Sequence, residues 1–207
     1  MINEKPRIFT LNCESWIGNL GKKSSRVQQP KCEICNRDIL KEIEYSKVEL
    51  EIDKYNGEDM VSAYGLLIVS ENLYKALINS GIKGFAPLKV NKIKYKYGNV
   101  DMKTVPPLVY LAILSPAVRN IPIASDFTGI CEGCHLYLNK YNEEKSKLIS
   151  RDSEENAIHL QVFYDSYEGA DIFNFADHGE VGVTQKFLDI IKDFNCPENI
   201  IIPAEWI

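Results

Sequence analysis

Apolar and polar residues alternate along several short stretches of the chain, and each such stretch predicts a β-strand. In residues 45–53, valine, leucine and isoleucine take every second position, with lysine and glutamate between them. That period of two is typical of a strand with one buried face. Residues 64–69 and 108–114 are instead continuously apolar, which predicts strands buried on both faces. Strands are also predicted over residues 7–12 and 85–90.

Helical spacing follows two of the apolar runs. Ser70 is a good N-cap residue, apolar residues then recur at Leu73 and Leu77, and Gly81 marks the expected end of the helix. A second helix is predicted after Thr184, followed by a strand over residues 200–202. The order of strand, Ser/Thr cap, helix, strand and proline therefore occurs twice, at an offset of about 114–116 residues. This repetition indicates an internal duplication.

Two Cys-x-x-Cys motifs occur in the sequence, at residues 32–35 and 131–134. Their four cysteines are Cys32, Cys35, Cys131 and Cys134. Two thiolates of such a turn can face one metal ion at about 2.3 Å, and two such turns complete a tetrahedral site. The motifs are separated by 95 residues, but the entropy of closing a loop grows only logarithmically with its length. The pattern favours one structural zinc ion, bound by two knuckles at residues 30–37 and 129–136.

Three other chemistries use similar cysteines, and sequence alone leaves them open. An iron ion in a rubredoxin-like site takes the same four thiolates. A redox pair explains one Cys-x-x-Cys but not two. Disulfides would suit a secreted protein, whereas residues 1–6 show no apolar leader segment.

The predicted fold combines these observations. We expect an α+β protein in which mixed sheets form two similar strand–helix–strand lobes, tied together by a split Cys₄ site that resembles a zinc ribbon. The chain, 1–207, is expected to be a single compact unit, with possible lobes at 1–115 and 116–207 that share the two knuckles.

Composition narrows the class of function. The chain has 207 residues, of which 45% are apolar, and a net charge of −5. An acidic protein lacks the basic surface that general nucleic-acid binding requires, so no nucleic-acid partner is expected. No apolar run reaches the roughly 18 residues that would span a membrane. We therefore expect a cytoplasmic protein without membrane contact, in a compartment where thiols stay reduced.

No catalytic constellation stands out, so the chain is not expected to be an enzyme. It contains no Gly-rich phosphate loop, no Gly-x-Ser-x-Gly elbow and no His-Glu-x-x-His helix. His159 falls on the polar face of a predicted strand, and His178 in a polar turn without a partner for catalysis. Cys13 and Cys196 are interpreted as buried thiols, because neither has an activating base nearby in the sequence.

The widely spaced knuckles resemble those of a family of bacterial immunity proteins that is named for a double Cys-x-x-Cys-Gly motif. Such proteins are found beside contact-delivered polymorphic toxins. Two further stretches resemble the family: residues 169–173 (Gly-Ala-Asp-Ile-Phe) and residues 182–188, which begin the second helix. Val69-Ser70-Glu71 is a closer version of that family's helix start. The glycine after each second cysteine is replaced here by Asn36 and His135, which implies either a strained second knuckle or His135 as a competing ligand.

The resemblance implies a cytoplasmic protein that binds and neutralises a cognate toxin and catalyses no reaction. A zinc-ribbon adaptor or regulatory binding protein is the alternative. Acidic and aromatic residues late in the chain suit the capture of a basic toxin, because charge steers encounter and aromatic rings anchor it. A solvated loop over core aromatics is the alternative explanation, and the usual exposure of charged residues favours it. The candidate toxin-binding residues are Asp165, Tyr167, Glu168, Asp171, Asp177 and Glu180.

Overall fold

The β-strand is the main type of secondary structure in the described part of the chain. The structure, a computed structural model, describes residues 5–37, 39, 44–114, 118–122, 125–135, 137–141, 143, 160–176, 181–197 and 199–207. The described strands are β1 (Ile8–Cys13), β2 (Gly18–Leu20), β3 (Ser25–Arg26), β4 (Tyr45–Ile52), β5 (Met60–Ala63), β6 (Leu66–Ser70), β7 (Phe85–Lys94), β8 (Leu108–Ile113), β9 (Asn120–Pro122), β10 (Ser125–Ile130), β11 (Tyr137–Tyr141), β12 (Leu160–Val162), β13 (Ile172–Asn174), β14 (Val181–Thr184) and β15 (Asn199–Trp206). The described α-helices are α1 (Glu71–Asn79) and α2 (Gln185–Ile191), and a 3₁₀ turn spans Tyr164–Ser166.

The first curled sheet is built from β2 to β8. Its strands lie in the order β2-β4-β7-β8-β6-β5, and β3 pairs with β4 outside this path. Trp16, just before β2, forms a bridge with Ser62 of β5. The sheet is therefore curled so far that its two edges meet. Curling of this kind covers edge strands that would otherwise expose unpaired backbone groups.

The second curled sheet contains β1, β9 and β12 to β15. Its order is β13-β14-β1-β15-β12-β9. Val118, just before β9, forms a bridge with Phe175 at the end of β13, so this sheet also curls until its edges meet. The remaining strands, β10 and β11, form a separate antiparallel hairpin.

The two curled sheets are equivalent strand by strand. In both orders every neighbouring pair is antiparallel except one, β4 with β7 in the first sheet and β12 with β15 in the second. The registers agree as well: Ser70 lies opposite Leu108, and Thr184 lies opposite Ile8. Because β8 occupies in the first sheet the place that β1 occupies in the second, the equivalent halves run from β1 to β7 and from β8 to β15, and each half contributes its first strand to the other half's sheet.

Continuous apolar runs arise where one strand serves two cores. In β6, Leu67 and Val69 pack into a core shared by both sheets and both helices, whereas Leu66 and Ile68 fill the interior of the first curled sheet. Full burial of each such side chain contributes about 1.5–3 kcal/mol. The helices pack into the shared core as well, through buried residues one turn apart (Leu73, Leu77, Phe187 and Ile191).

The predicted α+β class with two strand–helix–strand lobes is therefore wrong. Strands far outnumber helices among the described residues, and each described α-helix is a short connection between strands of one curled sheet. The helix after Ser70 was predicted correctly because its sequence pattern is local. The Ser70 hydroxyl caps α1 by accepting a hydrogen bond from the backbone amide of Leu73. The share of the chain that pairs into sheets was underestimated, because strands of three or four residues leave little periodic pattern.

Among the described residues, none of the helices combines the length and the apolar composition needed to cross a membrane.

Candidate metal centre

Each Cys-x-x-Cys lies at the tip of a β-hairpin. In the first hairpin the amide of Ile39 donates to the carbonyl of Pro30 (2.7 Å), and the amide of Cys32 donates to the carbonyl of Arg37 (2.9 Å). The second knuckle joins β10 to β11, which pair from Ile130 opposite Tyr137. A hairpin tip holds both cysteines of a knuckle on one side, so each pair of sulfurs points the same way.

The two knuckles have matching backbone geometry. The amide of Asn36 donates to the carbonyl of Cys32 at 2.8 Å, and the amide of His135 donates to the carbonyl of Cys131 at 2.9 Å. Asn36 and His135 adopt left-handed φ angles of 59° and 58°. Both positions thus adopt a conformation that glycine favours, and both side chains pay a steric cost for it.

The four cysteine sulfurs form one compact cluster. All four lie within 4.8 Å of one another. Cys32 Sγ is 3.6 Å from Cys131 Sγ, and Cys35 Sγ is 3.6 Å from Cys134 Sγ. A tetrahedron with metal–sulfur bonds of about 2.3 Å has edges of about 3.8 Å, so these separations suit four ligands of one ion. Both distances exceed the length of a disulfide bond, which is about 2.05 Å, and all four cysteines are free thiols in the structure.

The surroundings of the sulfurs favour thiolates. A hydrogen bond from the backbone of Arg37 is the main cause that lowers the pKa of Cys35 to about 6. Backbone hydrogen bonds from Cys134 and Gly133 lower the pKa of Cys131. Amides that point at sulfur stabilise its charged form, and the thiolate is the form that binds a metal. Cys32 and Cys131 are also almost fully buried.

The knuckles touch each other at Gly133. A Cβ atom added there would lie 3.0 Å from Cys32 Sγ and 3.2 Å from the Cδ1 atom of Ile34. Only a residue without a side chain allows the two hairpin tips to approach this closely. The sequence analysis did not single out Gly133, although a glycine between two metal-binding cysteines is a usable signal of close packing.

Among the described residues, the cluster consists of the four cysteines alone, and His135 is not part of it. Four sulfurs complete the tetrahedral shell that structural zinc sites have, which leaves no position for a substrate or a water nucleophile. The first knuckle lies between β3 and β4 of the first curled sheet, and the second lies at the tip of the separate β10–β11 hairpin, which follows β9 of the second sheet. An ion bound here would therefore link the two halves of the molecule.

The candidate toxin-binding residues that the structure describes differ in their exposure and contacts. Glu168 is exposed, and Asp165 is exposed while its carboxylate accepts a 2.6 Å ion pair from Arg119. Tyr167 is instead half-buried: its ring packs on Phe173 and Trp206, and burial raises its pKa to about 12. Asp177 and Glu180 lie outside the described residues, as do His159 and His178.

The Asp171 side chain stabilises the fold through three polar contacts. Its carboxylate accepts from the Thr184 hydroxyl at 3.0 Å, from the Lys83 amide at 3.1 Å and from the Lys186 ammonium at 3.3 Å. Asp59 has the equivalent place in the first half: it accepts from the Ser70 hydroxyl at 2.5 Å and from the amide of Asn195 at 3.1 Å. Each aspartate thereby joins a strand of its own sheet to the segment that follows the other half's helix.

Compared with known proteins, the chain matches no family model and no curated protein.

Proposed function

We propose that the chain is an immunity protein, which carries a structural zinc ion on Cys32, Cys35, Cys131 and Cys134 and neutralises a cognate toxin by binding it. The closed cluster of four sulfurs is the observation that supports the metal part of this proposal most directly. A four-sulfur shell suits zinc or iron; we favour zinc because the site joins two halves and needs no redox chemistry to do so. The proposal places the protein in the cytoplasm, where thiols stay reduced.

The neutralising role is supported by the resemblance of the knuckles and the late helix to double Cys-x-x-Cys-Gly immunity proteins. The net charge of −5 adds to this support, since an acidic surface attracts a basic toxin and speeds its capture. The centre itself takes part by holding the scaffold that presents the binding surface, and we assign no reaction to it.

Metal content tests the first part. The protein, purified under reducing conditions without added metal, is expected to contain one zinc per chain by elemental analysis. The Cys131→Ser variant is expected to lose most of that zinc, whereas Cys196→Ser, outside the cluster, retains it. One iron per chain, or no metal with a reversible Cys32–Cys35 disulfide, would contradict the zinc assignment.

Growth tests the second part. The product of the neighbouring gene is expressed in a cell with and without this chain. We expect the neighbour alone to arrest growth, and the pair to grow and to co-purify as a complex of equal stoichiometry. Growth arrest that this chain does not relieve would refute neutralisation. A stable complex with a harmless partner would favour a zinc-ribbon adaptor instead.

A further inference from the structure

Two lysines lie side by side on the outer face of the first curled sheet. Glu49 of β4 lies beside Asn91 of β7 in a parallel pair, and their side chains are joined by a hydrogen bond of 2.9 Å. Lys47 and Lys89 each lie two residues earlier, so they are neighbours on that same face. Both are exposed, whereas the valine that follows each lysine fills the interior of the sheet. Like charges on neighbouring strands destabilise a sheet, so the fold holds these two ammonium groups together at an energetic cost.

A turn that carries two more lysines lies beside them. The strands β2 and β3 both pair with β4, and the chain bulges outward between them. The amide of Ser24 donates to the carbonyl of Gly21 at 3.0 Å, which closes a β-turn across the bulge. The central residues of this turn are Lys22 and Lys23, and both are exposed.

Glu49 fixes this turn against the outer face of the sheet. Its side chain is only 3% exposed, and its carboxylate accepts a hydrogen bond from the backbone amide of Lys23 at 3.3 Å. A Cβ atom added at Gly21 would lie 2.6 Å from Glu49 Oε1, so a residue without a side chain is needed for the turn to close over the carboxylate. The fold thus buries a carboxylate to hold the turn lysines beside the strand lysines.

Protection of a sheet edge does not explain all four lysines. Lysines commonly guard edge strands, and Lys22 and Lys23 belong to such an edge. Lys47 and Lys89 instead lie on β4 and β7, and each of these strands has a neighbouring strand on both sides. Among the described residues, no carboxylate forms an ion pair with any of the four. Since Glu49 offsets only one of the four charges, this part of the surface is positive.

We propose that this surface, which we call the lysine patch (Lys22, Lys23, Lys47 and Lys89), binds an acidic segment of another protein. Ammonium groups on neighbouring strands, about 4.8 Å apart at the backbone, suit the carboxylates of a short run of aspartate and glutamate. Binding of such a segment removes the repulsion between the lysines. The interaction goes beyond the proposed function and does not depend on it.

A nucleic acid fits the lysine patch less well than an acidic protein segment does. The patch consists of lysines, without an aromatic ring for base stacking or an arginine that holds a phosphate through two hydrogen bonds. Of the chain's 24 basic residues, 20 remain outside the patch, against 29 acidic residues. A long polyanion is therefore repelled beyond the patch, whereas a short acidic segment ends at its border.

Binding of a fluorescently labelled oligoglutamate peptide to the full chain tests the proposal. The variant that combines Lys22→Gln, Lys23→Gln, Lys47→Gln and Lys89→Gln is compared with the wild type by fluorescence anisotropy at low salt. We expect the dissociation constant to rise about tenfold, the scale of several exposed ion pairs. The wild-type affinity should fall steeply with added salt. The melting temperature of the variant should be unchanged or higher, because the repulsion between the lysines is removed.

The matched control combines Lys54→Gln, Lys83→Gln, Lys96→Gln and Lys103→Gln, which changes the net charge equally at exposed positions outside the patch. Its affinity should stay within about twofold of the wild type.

Three outcomes would overturn the lysine patch as a site for an acidic protein segment. The first is a wild-type chain that does not bind the peptide, and the second is an equal loss of affinity in the patch variant and in the control. The third is tighter binding of oligothymidylate than of the peptide, with the same dependence on the patch, which would assign the surface to nucleic acid. The double variant Lys47→Gln with Lys89→Gln leaves the turn unchanged and should lose about threefold in affinity, so the test does not depend on the folding of the fourfold variant.

Discussion

At the scale of single residues, the clearest source of strain in the candidate metal centre is the left-handed backbone of the two non-glycine residues that end the knuckles. Asn36 and His135 both have left-handed φ angles, and asparagine tolerates this conformation better than histidine does. His135→Gly is therefore expected to leave the zinc content at one per chain and to raise the stability of the metal-loaded protein by up to about 1 kcal/mol, as measured by thermal unfolding. Asn36→Gly should give a smaller gain. Loss of zinc in His135→Gly would show that the imidazole is a ligand after all.

Gly133 gives a second prediction at this scale. Its Cα faces Cys32 Sγ so closely that an added methyl group would lie 3.0 Å from the sulfur. A sulfur bound to zinc cannot move away without lengthening its bond. Gly133→Ala should therefore destabilise the centre by about 1–3 kcal/mol, the usual cost of overpacking, and should release zinc faster to a competing chelator. Glu132→Ala, at the exposed neighbouring position, is the control and should change neither quantity.

At the scale of secondary-structure elements, the aspartates Asp59 and Asp171 hold strands to the segments after the helices of the opposite half. Asp171→Ala removes acceptors from Thr184, Lys83 and Lys186 and should lower the free energy of unfolding by about 1–3 kcal/mol in urea titrations. Asp165→Ala, which loses one exposed ion pair, should cost less than about 1 kcal/mol. Equal effects of the two variants would contradict the structural role of Asp171.

Local sequence patterns predicted some elements well and could not predict others. The strands β4 and β8 were predicted because six to eight residues carry a clear alternation or a continuous apolar run. Three-residue strands such as β2 and β9 escaped prediction, since so short a stretch gains its stability from neighbouring strands instead of its own pattern. The two helix caps suggested a repeat with an offset of about 114 residues. The strand pairing has the same offset, because Ser70 and Thr184 occupy equivalent positions in their sheets.

At the scale of the whole molecule, the exchange of β1 and β8 between the two sheets was beyond sequence analysis. The apolar residues of both strands would suit either sheet equally well. No local feature of Ile8–Cys13 indicates that its partner strands lie about 170 to 195 residues later in the sequence. The cluster of four cysteines could be predicted because metal-binding chemistry fixes both residue type and spacing. The exchange means that the two halves are interlocked by backbone pairing as well as by the proposed ion.

This interlocking separates the effect of zinc on the knuckles from its effect on the fold. Structural zinc contributes about 10–16 kcal/mol of apparent binding free energy in isolated fingers, as much as a typical domain's whole stability of about 5–15 kcal/mol. A molecule held by zinc alone would therefore unfold when the ion is removed.

Here β1 and β8 lie in the middle of their sheets, so zinc removal by chelation or by Cys32→Ser should unfold the two hairpin tips while the curled sheets persist. We expect a lower melting temperature and, by hydrogen exchange, loss of protection at residues 32–37 and 131–135 with retained protection in β1 and β8. Cys196→Ser serves as the control that keeps its zinc. Simultaneous loss of protection in β1 and β8 would show that the ion is needed for the whole fold, and an unchanged melting temperature with full zinc content in Cys32→Ser would contradict the site itself.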